Sequence, residues 1–242
     1  MPDKRKHRGQ HPADKDLFAT KELPKLRTAV EDLSLLLSKG YSENASLKLV
    51  GDRFRLKERQ RMAVRRCSCA AEGVNTIESK ELVVAQMRNQ HLELDGLNVL
   101  IIVESALSGG LILKGMDQCY KDLASIHSTY RKVMETEKAI QIIGESMEEL
   151  GIQSAIWFLD RPVSNSGRLK QLLLEHAKQN YWDWEVELVY NPDTSLIERQ
   201  GIVASSDSMV VKQATQWVNL TGYVIDQKVK EANVINLRRE VK

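Results

Sequence analysis

Cysteine is scarce in this 242-residue sequence, which contains three: Cys67, Cys69 and Cys119. Three cysteines cannot all form disulfides within one chain, so the disulfide framework typical of an exported protein is not expected. A structural zinc site would need a second pair of ligands in addition to Cys67 and Cys69, and the sequence pattern offers none. We therefore expect reduced thiols, a cytoplasmic location and no structural zinc.

Long apolar segments are missing as well. No run approaches the roughly 18 apolar residues that a membrane-spanning helix needs. The first segment, MPDKRKHRGQHPADKD, is polar and lacks the apolar core of a secretory signal. With 42% hydrophobic residues, the chain can still fill a substantial core, in one large domain or two smaller ones. These features predict a cytoplasmic protein without a membrane partner.

Charge is distributed unevenly along the chain. Residues 1–70 contain 17 Lys and Arg against 9 Asp and Glu, whereas residues 71–242 contain 18 against 24. A basic front part could attract a polyanion, and an acidic back part could hold cations. We predict a basic, mainly helical N-terminal domain (residues 1–74), an α/β domain (residues 75–230) and a C-terminal tail (residues 231–242).

Helical patterns dominate the front part. Leucine and valine recur at helical spacing from Leu23 to Leu37, and Gly40 suits the left-handed conformation that often ends a helix. SENASLKLVGDRFRL is predicted to be a loop that contains a short apolar element. The strong helix formers of KERQRMAVRRCSCAAEGV predict a second helix, which ends near Gly73.

Five arginines in and beside the second helix are candidates for nucleic-acid binding: Arg55, Arg59, Arg61, Arg65 and Arg66. A guanidinium group can bind two phosphate oxygens at once. The alternative is a solvated helix whose arginines pair with Glu58 and Asp52.

The back part alternates between strand and helix patterns. Buried strands are predicted over LNVLIIVES, SAIWFLD, WEVELVY and GIVASSD, and a last short strand over YVID. Helices are predicted over most of residues 116–151, over SNSGRLKQLLLEHAKQN and over SMVVKQATQWVNLTG. Such alternation predicts a Rossmann-like α/β fold, in which helices cover a parallel sheet in three layers.

Carboxylates lie at the ends of several predicted strands. Asp160 ends SAIWFLD, Asp207 ends GIVASSD, and Asp95 precedes LNVLIIVES, where Glu104 at the far end is the competing candidate. In an open parallel sheet the functional crevice lies beyond the carboxyl ends of the strands. Carboxylates brought together there would repel one another and favour a hard cation such as Mg²⁺ or Mn²⁺.

Two segments carry a family resemblance. DGLNVLI resembles the opening strand of PIN and NYN nuclease domains, and IVASSDSMVVKQATQWVNLTGYVID resembles their closing unit, with WFLD in the middle position. The resemblance implies a PIN/NYN-like fold and metal-dependent cleavage of RNA. SSDS lacks the further Asp that is common in NYN domains.

The resemblance also implies roles for individual residues. Its implied metal ligands and catalytic residues are Asp95, Asp160 and Asp207. Asn98 would orient Asp95, Ser205 or Ser208 would support Asp207, and Asp117 or Asp122 would supply the acidic residue that PIN domains usually add on a helix after the first strand.

Two further resemblances lead elsewhere. The whole chain resembles a two-domain prokaryotic family whose first half is the domain of unknown function 434, a match that brings no chemistry. VLIIVESALSGG followed by AIWFLDRP resembles a Toprim domain, in which Glu104 and Asp160 would hold a metal for phosphotransfer. Pro162 stands where that pattern has a second Asp.

Structural interpretations remain open for the same residues. Asp160 can start a turn, Asp207 can cap the following helix, and Asp95-Gly96 is a common turn pair. Trp182 and Trp184 suit core packing, with base stacking as the alternative. SNSG suits a capped helix start, with phosphate binding as the alternative.

The function we expect is hydrolysis of phosphodiester bonds in single-stranded or structured RNA, with Mg²⁺ or Mn²⁺ as cofactor. The basic N-terminal domain would bind the RNA backbone. The alternative is a non-catalytic adaptor that binds nucleic acid or protein. Carboxylates more than about 10 Å apart could not share an ion, because ligand oxygens lie about 2.0–2.6 Å from it.

Overall fold

The computed structural model describes residues 7–9, 11–124 and 128–238. Residues 1–6 of the predicted basic domain, 125–127 of the predicted helix and 239–242 of the predicted tail lie outside the described part. The strands are β1 (His91–Asp95), β2 (Leu111–Lys114), β3 (Tyr120–Lys121), β4 (Ser154–Asp160), β5 (Trp184–Val189), β6 (Ile202–Ala204), β7 (Gln216–Trp217) and β8 (Asn233–Asn236). The helices are α1 (Asp14–Leu17), α2 (Leu23–Ser38), α3 (Glu43–Arg53), α4 (Glu58–Cys67), α5 (Ala71–Lys80), α6 (Gly96–Leu107), α7 (Thr136–Glu149), α8 (Ser166–Asn180), α9 (Pro192–Arg199), α10 (Ser208–Gln213) and α11 (Leu220–Lys228).

The main sheet has five strands in the order β5-β4-β1-β6-β7, and every neighbouring pair is parallel. The chain builds outward from β1 to β4 and β5, and then crosses back to add β6 and β7 on the other side of β1. The order therefore reverses between β1 and β6. The predicted α/β fold with a parallel sheet is confirmed at this level.

Both faces of this sheet are covered. Leu92, Leu94 and Trp157 point to one face, where they pack in a core with α6, α7, α8 and α11. Phe158 and Val203 point to the other face, where they form a second core with residues of α5, α9 and α10. The alternation of side chains along each strand produces these two cores and hence the predicted three layers.

The first predicted helix is confirmed as α2. Its stripe of Leu26, Val30 and Leu33 is completely buried. The helix ends as predicted, with Gly40 at φ +80°. Gly40 N–H donates to Leu37 O at 3.0 Å and Tyr41 N–H to Leu36 O at 3.2 Å, the pair of bonds of a Schellman motif.

The helical N-terminal region shares a core with a small second sheet of order β3-β2-β8. Leu111 and Leu113 of β2, with Leu237 beyond β8, pack among the buried residues of α2 and α4. Part of the predicted tail is thus a strand, because β8 pairs with β2 in parallel. The predicted domain boundaries at residues 74 and 230 stay predictions.

LNVLIIVES is a helix, α6, so the predicted first strand is wrong. The true first strand is HLELD, immediately upstream. Ten of the twelve residues of α6 are buried, since the sheet, α7 and α11 surround it. A helix buried on all sides shows no amphipathic period, and a short apolar run then looks like a strand.

Three other predictions of local structure are corrected. Among the described residues of the range 116–151 (116–124 and 128–151), the α-helix is limited to α7, and the short strand β3 precedes it. YVID belongs to α11, while β7 interrupts the helix predicted before it. In the front part, SENASLKLVGDRFRL contains α3, and residues 68–70 separate α4 from α5.

The predictions for SAIWFLD, SNSGRLKQLLLEHAKQN, WEVELVY and GIVASSD are confirmed as β4, α8, β5 and β6. Within the described ranges, no helix combines the length and the apolar character that a membrane crossing requires.

Candidate active site

Asp95 lies at the carboxyl end of the central strand. It is the last residue of β1, and β1 runs parallel to β4 on one side and β6 on the other. The order of the strands reverses between β1 and β6, and ligands of open α/β sheets bind at such a switch point. Moving the first strand upstream therefore places Asp95 where the sequence prediction required it.

The same edge and the same face collect further carboxylates. Asp95 is in register with Phe158, which points toward α9, so Asp95 and Asp160 point to that face as well. Arg199 of α9 confirms the face by donating to Glu93 at 2.9 Å, two residues before Asp95. Asp207 immediately precedes α10 on this side.

The carboxyl group of Asp95 is buried and unusually basic. Its exposed fraction is 7%. Burial raises its pKa to about 7; a hydrogen bond from Ser205 Oγ to Oδ2, at 2.9 Å, opposes the rise, and the negative charges of Asp193 and Asp207 add to it. Raised carboxyl pKa values occur at functional sites and at buried structural acids alike, so the neighbouring groups of Asp95 decide its role.

Asp193 is the residue that the sequence analysis missed. It lies in the first turn of α9, and burial, together with repulsion from Asp207 and Asp160, raises its pKa. Burial also raises the pKa of Asp160. Asp193 thus connects the three predicted aspartates electrostatically. NPD follows the predicted strand WEVELVY, the same pattern that identified the other candidates.

The segment after β6 is held by the residues around Asp95. Ser205 Oγ accepts from Asp207 N–H at 3.0 Å, and Asn98 Oδ1 accepts from Ser206 N–H at 2.9 Å. Asn98 reaches Asp95 through its backbone N–H. Asp207 also caps α10, because Oδ1 accepts from Met209 N–H at 2.7 Å. Asp207 therefore has the predicted structural role while its side chain stays exposed at the site.

Asp117, Lys121 and Ser208 form a buried cluster beneath this segment. Lys121 Nζ donates to Asp117 Oδ2 at 2.6 Å and to Ser206 O at 2.5 Å, and Ser208 Oγ donates to the same carboxylate. Burial lowers the Lys121 pKa, but Asp117, Cys119 and Cys67 together raise it, and the net change is upward, so the ammonium stays charged. The cluster holds the backbone on both sides of Asp207.

The family pattern implied that Asp117 or Asp122 lies on a helix after the first strand, and this prediction is wrong for both residues. Asp117 lies in the turn between β2 and β3, and Asp122 follows β3. Asp122 is buried, which raises its pKa, and Arg66 opposes that rise from 3.6 Å.

The candidate arginines divide into two groups. Arg59 is paired with Asp14 at 2.9 Å and Arg61 with Asp52 at 2.7 Å, which fits the interpretation that they are structural. Arg55 lies between α3 and α4 with φ +50°. Arg65, paired with Glu43, and Arg66 line the same cavity as the aspartates.

That cavity, of about 870 Å³, lies between the two parts of the chain. Asp95, Asp160 and Asp207 line it from the main sheet, together with Asn98. Basic groups also face it: Arg65, Arg66, Lys121 and Lys212. One cavity thus combines carboxylates that attract cations with cations that attract phosphate.

Glu104 does not belong to this site. It lies inside α6, fully buried, and accepts from Tyr130 Oη at 2.6 Å, from Thr136 Oγ1 at 2.5 Å and from Arg8. The Toprim interpretation required Glu104 at the end of a strand, and the helix contradicts it.

Position in the fold favours packing over base stacking for Trp182 and Trp184. Trp184 begins β5, at the amino-terminal edge of the sheet, and packs against Trp157 and Trp182 with centroids 5.1 and 4.7 Å apart. Trp182 and Trp184 therefore pack in and beside the core, far from the aspartates. At SNSG the prediction of a capped helix start is wrong, because α8 begins without a side-chain cap; Asn165 Nδ2 donates to Tyr130 O at 2.9 Å instead, and Tyr130 N–H donates to Ser164 O at 3.0 Å.

In the part of the chain that the structure describes, no three or more His, Cys, Asp or Glu side chains are grouped so that they could hold a metal ion. The ligand roles of Asp95, Asp160 and Asp207 therefore stay predictions.

Comparison with known proteins gives three results. Residues 84–223 match the family model "Domain of unknown function (DUF5616)", and residues 25–80 match "Protein of unknown function (DUF434)". The uncharacterized protein MJ0935 of Methanocaldococcus jannaschii is 27% identical over 201 residues, which cover 83% of this chain and 93% of that protein. No solved structure matches the chain. Since the first model covers more than half of the residues, the chain belongs to the DUF5616 family, and its preceding region matches DUF434.

Proposed function

We propose that the protein is a divalent-metal-dependent nuclease that hydrolyses RNA. One observation supports this above all: the carboxylates of Asp95, Asp160 and Asp207 line a single cavity at the switch point of the sheet, opposite Arg65 and Arg66. The resemblance of DGLNVLI and IVASSDS to PIN and NYN domains points to the same chemistry.

The chemistry of the donors fits a hard divalent cation. Carboxylate oxygens are the ligands that Mg²⁺ and Mn²⁺ prefer, and Mg²⁺ commonly uses one or two carboxylates, with water and phosphate as its other ligands. The repulsion of Asp193 and Asp207 on Asp95 is a charge imbalance that a cation would relieve. One or two of Asp95, Asp160 and Asp207 would hold the ion directly, with Asp193 as a further candidate and water completing the coordination, since no three of the described acidic side chains are grouped closely enough to bind one ion together. When bound, such an ion activates water and stabilises the charge of a phosphodiester under attack.

The residues of the chain have distinct roles in this proposal. Arg65 and Arg66 bind phosphate oxygens and orient the strand across the cavity. Without an ion the pKa of Asp95 is about 7, and a bound cation would keep this carboxyl group ionised as its ligand. Lys121 and Asp117 hold the backbone that presents Asp207.

Asp207→Asn tests the proposal with little structural cost, because Asn is as good an N-cap as Asp and keeps an acceptor for Met209 N–H. We expect cleavage of labelled single-stranded RNA with Mn²⁺ to fall at least about 100-fold, since a charged ligand is lost. Asp183→Asn, an exposed change just before β5 at the opposite edge, is the control and should cleave like wild type.

Wild-type protein that cleaves no RNA with Mn²⁺ or Mg²⁺ would contradict the nuclease proposal, as would equal cleavage by Asp207→Asn. RNA binding without cleavage would support a non-catalytic adaptor instead.

A further inference from the structure

Arg161 and Tyr190 form an exposed pair directly beyond the carboxyl ends of β4 and β5, next to Asp160. Asp160 is in register with Val189, and Arg161 N–H donates to Val189 O at 2.7 Å. Arg161 and Tyr190 are thus the next residues beyond the last paired position of β4 and β5. The Arg161 guanidinium lies 5.3 Å from the centroid of the Tyr190 ring.

The ring of Tyr190 faces solvent in spite of this contact, with 76% of the residue exposed. Asp160 directly precedes Arg161, and Asp193 follows Tyr190 by three positions. The pair therefore projects from the two segments that carry Asp160 and Asp193. Among the described residues that line the cavity none is aromatic, so Tyr190 offers a flat ring surface just outside a cavity that lacks one.

We propose that Tyr190 and Arg161 are a stacking platform for a base of single-stranded nucleic acid. The inference rests on the proposed function, which places the phosphates of the strand at the carboxylates. Proteins bind unpaired bases by stacking them on aromatic rings and on guanidinium planes. A base next to the bound phosphate would cover the exposed ring, while Arg161 holds the ring from its other side or contacts the phosphate.

Tyr181 supplies a matched comparison within the same chain. It is 96% exposed and directly precedes the segment that leads into β5, whereas Tyr190 directly follows β5. Six residues of strand separate the two edges by about 20 Å. Tyr181 therefore shares the residue type and the exposure of Tyr190 but lies away from the carboxylates.

The test measures the Kd of a fluorescein-labelled ten-nucleotide RNA by anisotropy, with Mg²⁺ and in the Asp207→Asn background to prevent cleavage. We expect Tyr190→Ala to weaken binding roughly 5- to 100-fold, the range of a lost stacking contact. Tyr190→Phe keeps the ring and should bind within about twofold of the parent, and Tyr181→Ala should leave the Kd unchanged.

An abasic oligomer of the same length separates stacking from phosphate binding. It should bind Tyr190→Ala and the parent equally. The inference is overturned if the parent binds no RNA, if Tyr190→Ala and Tyr181→Ala change the Kd equally, or if the abasic oligomer loses as much affinity as the RNA. If RNA binding depends on Tyr190 but the wild-type protein cleaves no RNA, the stacking platform is supported and the nuclease proposal is rejected. If the wild-type protein cleaves RNA but binding does not depend on Tyr190, the nuclease proposal is supported and the stacking platform is rejected.

Discussion

Asp95 and Glu104 are two buried acids at opposite ends of the same stretch of chain, and their surroundings differ completely. Burial raises the pKa of both. Around Glu104 the protein supplies the cation itself, from Arg8, and two hydroxyl donors, from Tyr130 and Thr136. Around Asp95 it supplies one hydroxyl donor, from Ser205, and the repulsion of neighbouring carboxylates.

The difference shows what separates a structural acid from a candidate functional one. Glu104 is saturated by protein groups and fastens residue Arg8 to α6. Asp95 borders a cavity with a charge imbalance that the protein leaves for another group to relieve. Burial and a raised pKa are common to both residues, so neither property identifies the site without the neighbouring charges.

The largest expected effect comes from neutralising the saturated acid. Glu104→Gln should lower the free energy of unfolding by about 3–5 kcal/mol, because it leaves the buried charge of Arg8 unpaired. Denaturant unfolding at pH 7 measures this loss. Glu149→Gln, which breaks the surface pair with Lys228, is the control and should leave the free energy of unfolding nearly unchanged, because water screens the exposed pair. An equal loss in both variants would contradict the contrast between buried and surface pairs.

Neutralising Asp95 should raise the free energy of unfolding, whereas neutralising Glu104 lowers it. Its pKa of about 7 in the folded protein exceeds the unfolded value of about 4. The contribution of Asp95 to stability is therefore greatest below pH 4, falls as the pH rises to 7, and stays constant above. Asp95→Asn removes this loss and should stabilise the metal-free protein at pH 8, by at most about 4 kcal/mol.

Unfolding free energies measured from pH 4 to pH 8 with a chelator test this prediction. The difference between Asp95→Asn and wild type should grow with pH. A difference independent of pH would show that Asp95 keeps an ordinary pKa in the folded protein.

Divalent cations should change the stability of the protein less, and only through the site around Asp95. Mn²⁺ at about 100 times its Kd should stabilise wild-type protein by about 2.7 kcal/mol, or roughly 5–10 °C in Tm for a chain of this size. Asp207→Asn should lose most of the shift and Glu104→Gln should keep it, as thermal unfolding will show. The same shift in Asp207→Asn would place the cation elsewhere.

Sequence patterns predict a strand correctly where a segment is apolar along its length and ends in a polar residue. SAIWFLD and GIVASSD were predicted as strands that end in Asp160 and Asp207, and the structure confirms both strands. Asp95 was also a candidate, although its strand was placed on the wrong side. HLELD alternates over only five residues, and the apolar run of α6 beside it is the stronger pattern.

Residues whose role depends on distant contacts were misjudged or missed. Asp193 lies near the other aspartates because α9 connects the edge strand β5 to β6. To do so it packs across β4 and β1, which lie between them. Lys121, from the second sheet, binds the carbonyl of Ser206, which follows β6 of the main sheet, across 85 positions of sequence. Four of the candidate arginines pair with an acid, and only the tertiary fold separates Arg65 and Arg66, which line the cavity, from Arg59 and Arg61, which do not.

Local sequence patterns are enough to predict the α/β class, the helical front part and three of the four candidate carboxylates, because side-chain periodicity and strand-ending polar residues are local properties. The tertiary structure alone decided which carboxylates share an edge and a face, which acid is neutralised and which charge remains unbalanced. Those outcomes depend on strand order and register, which pair residues far apart in the chain, and no local pattern encodes them.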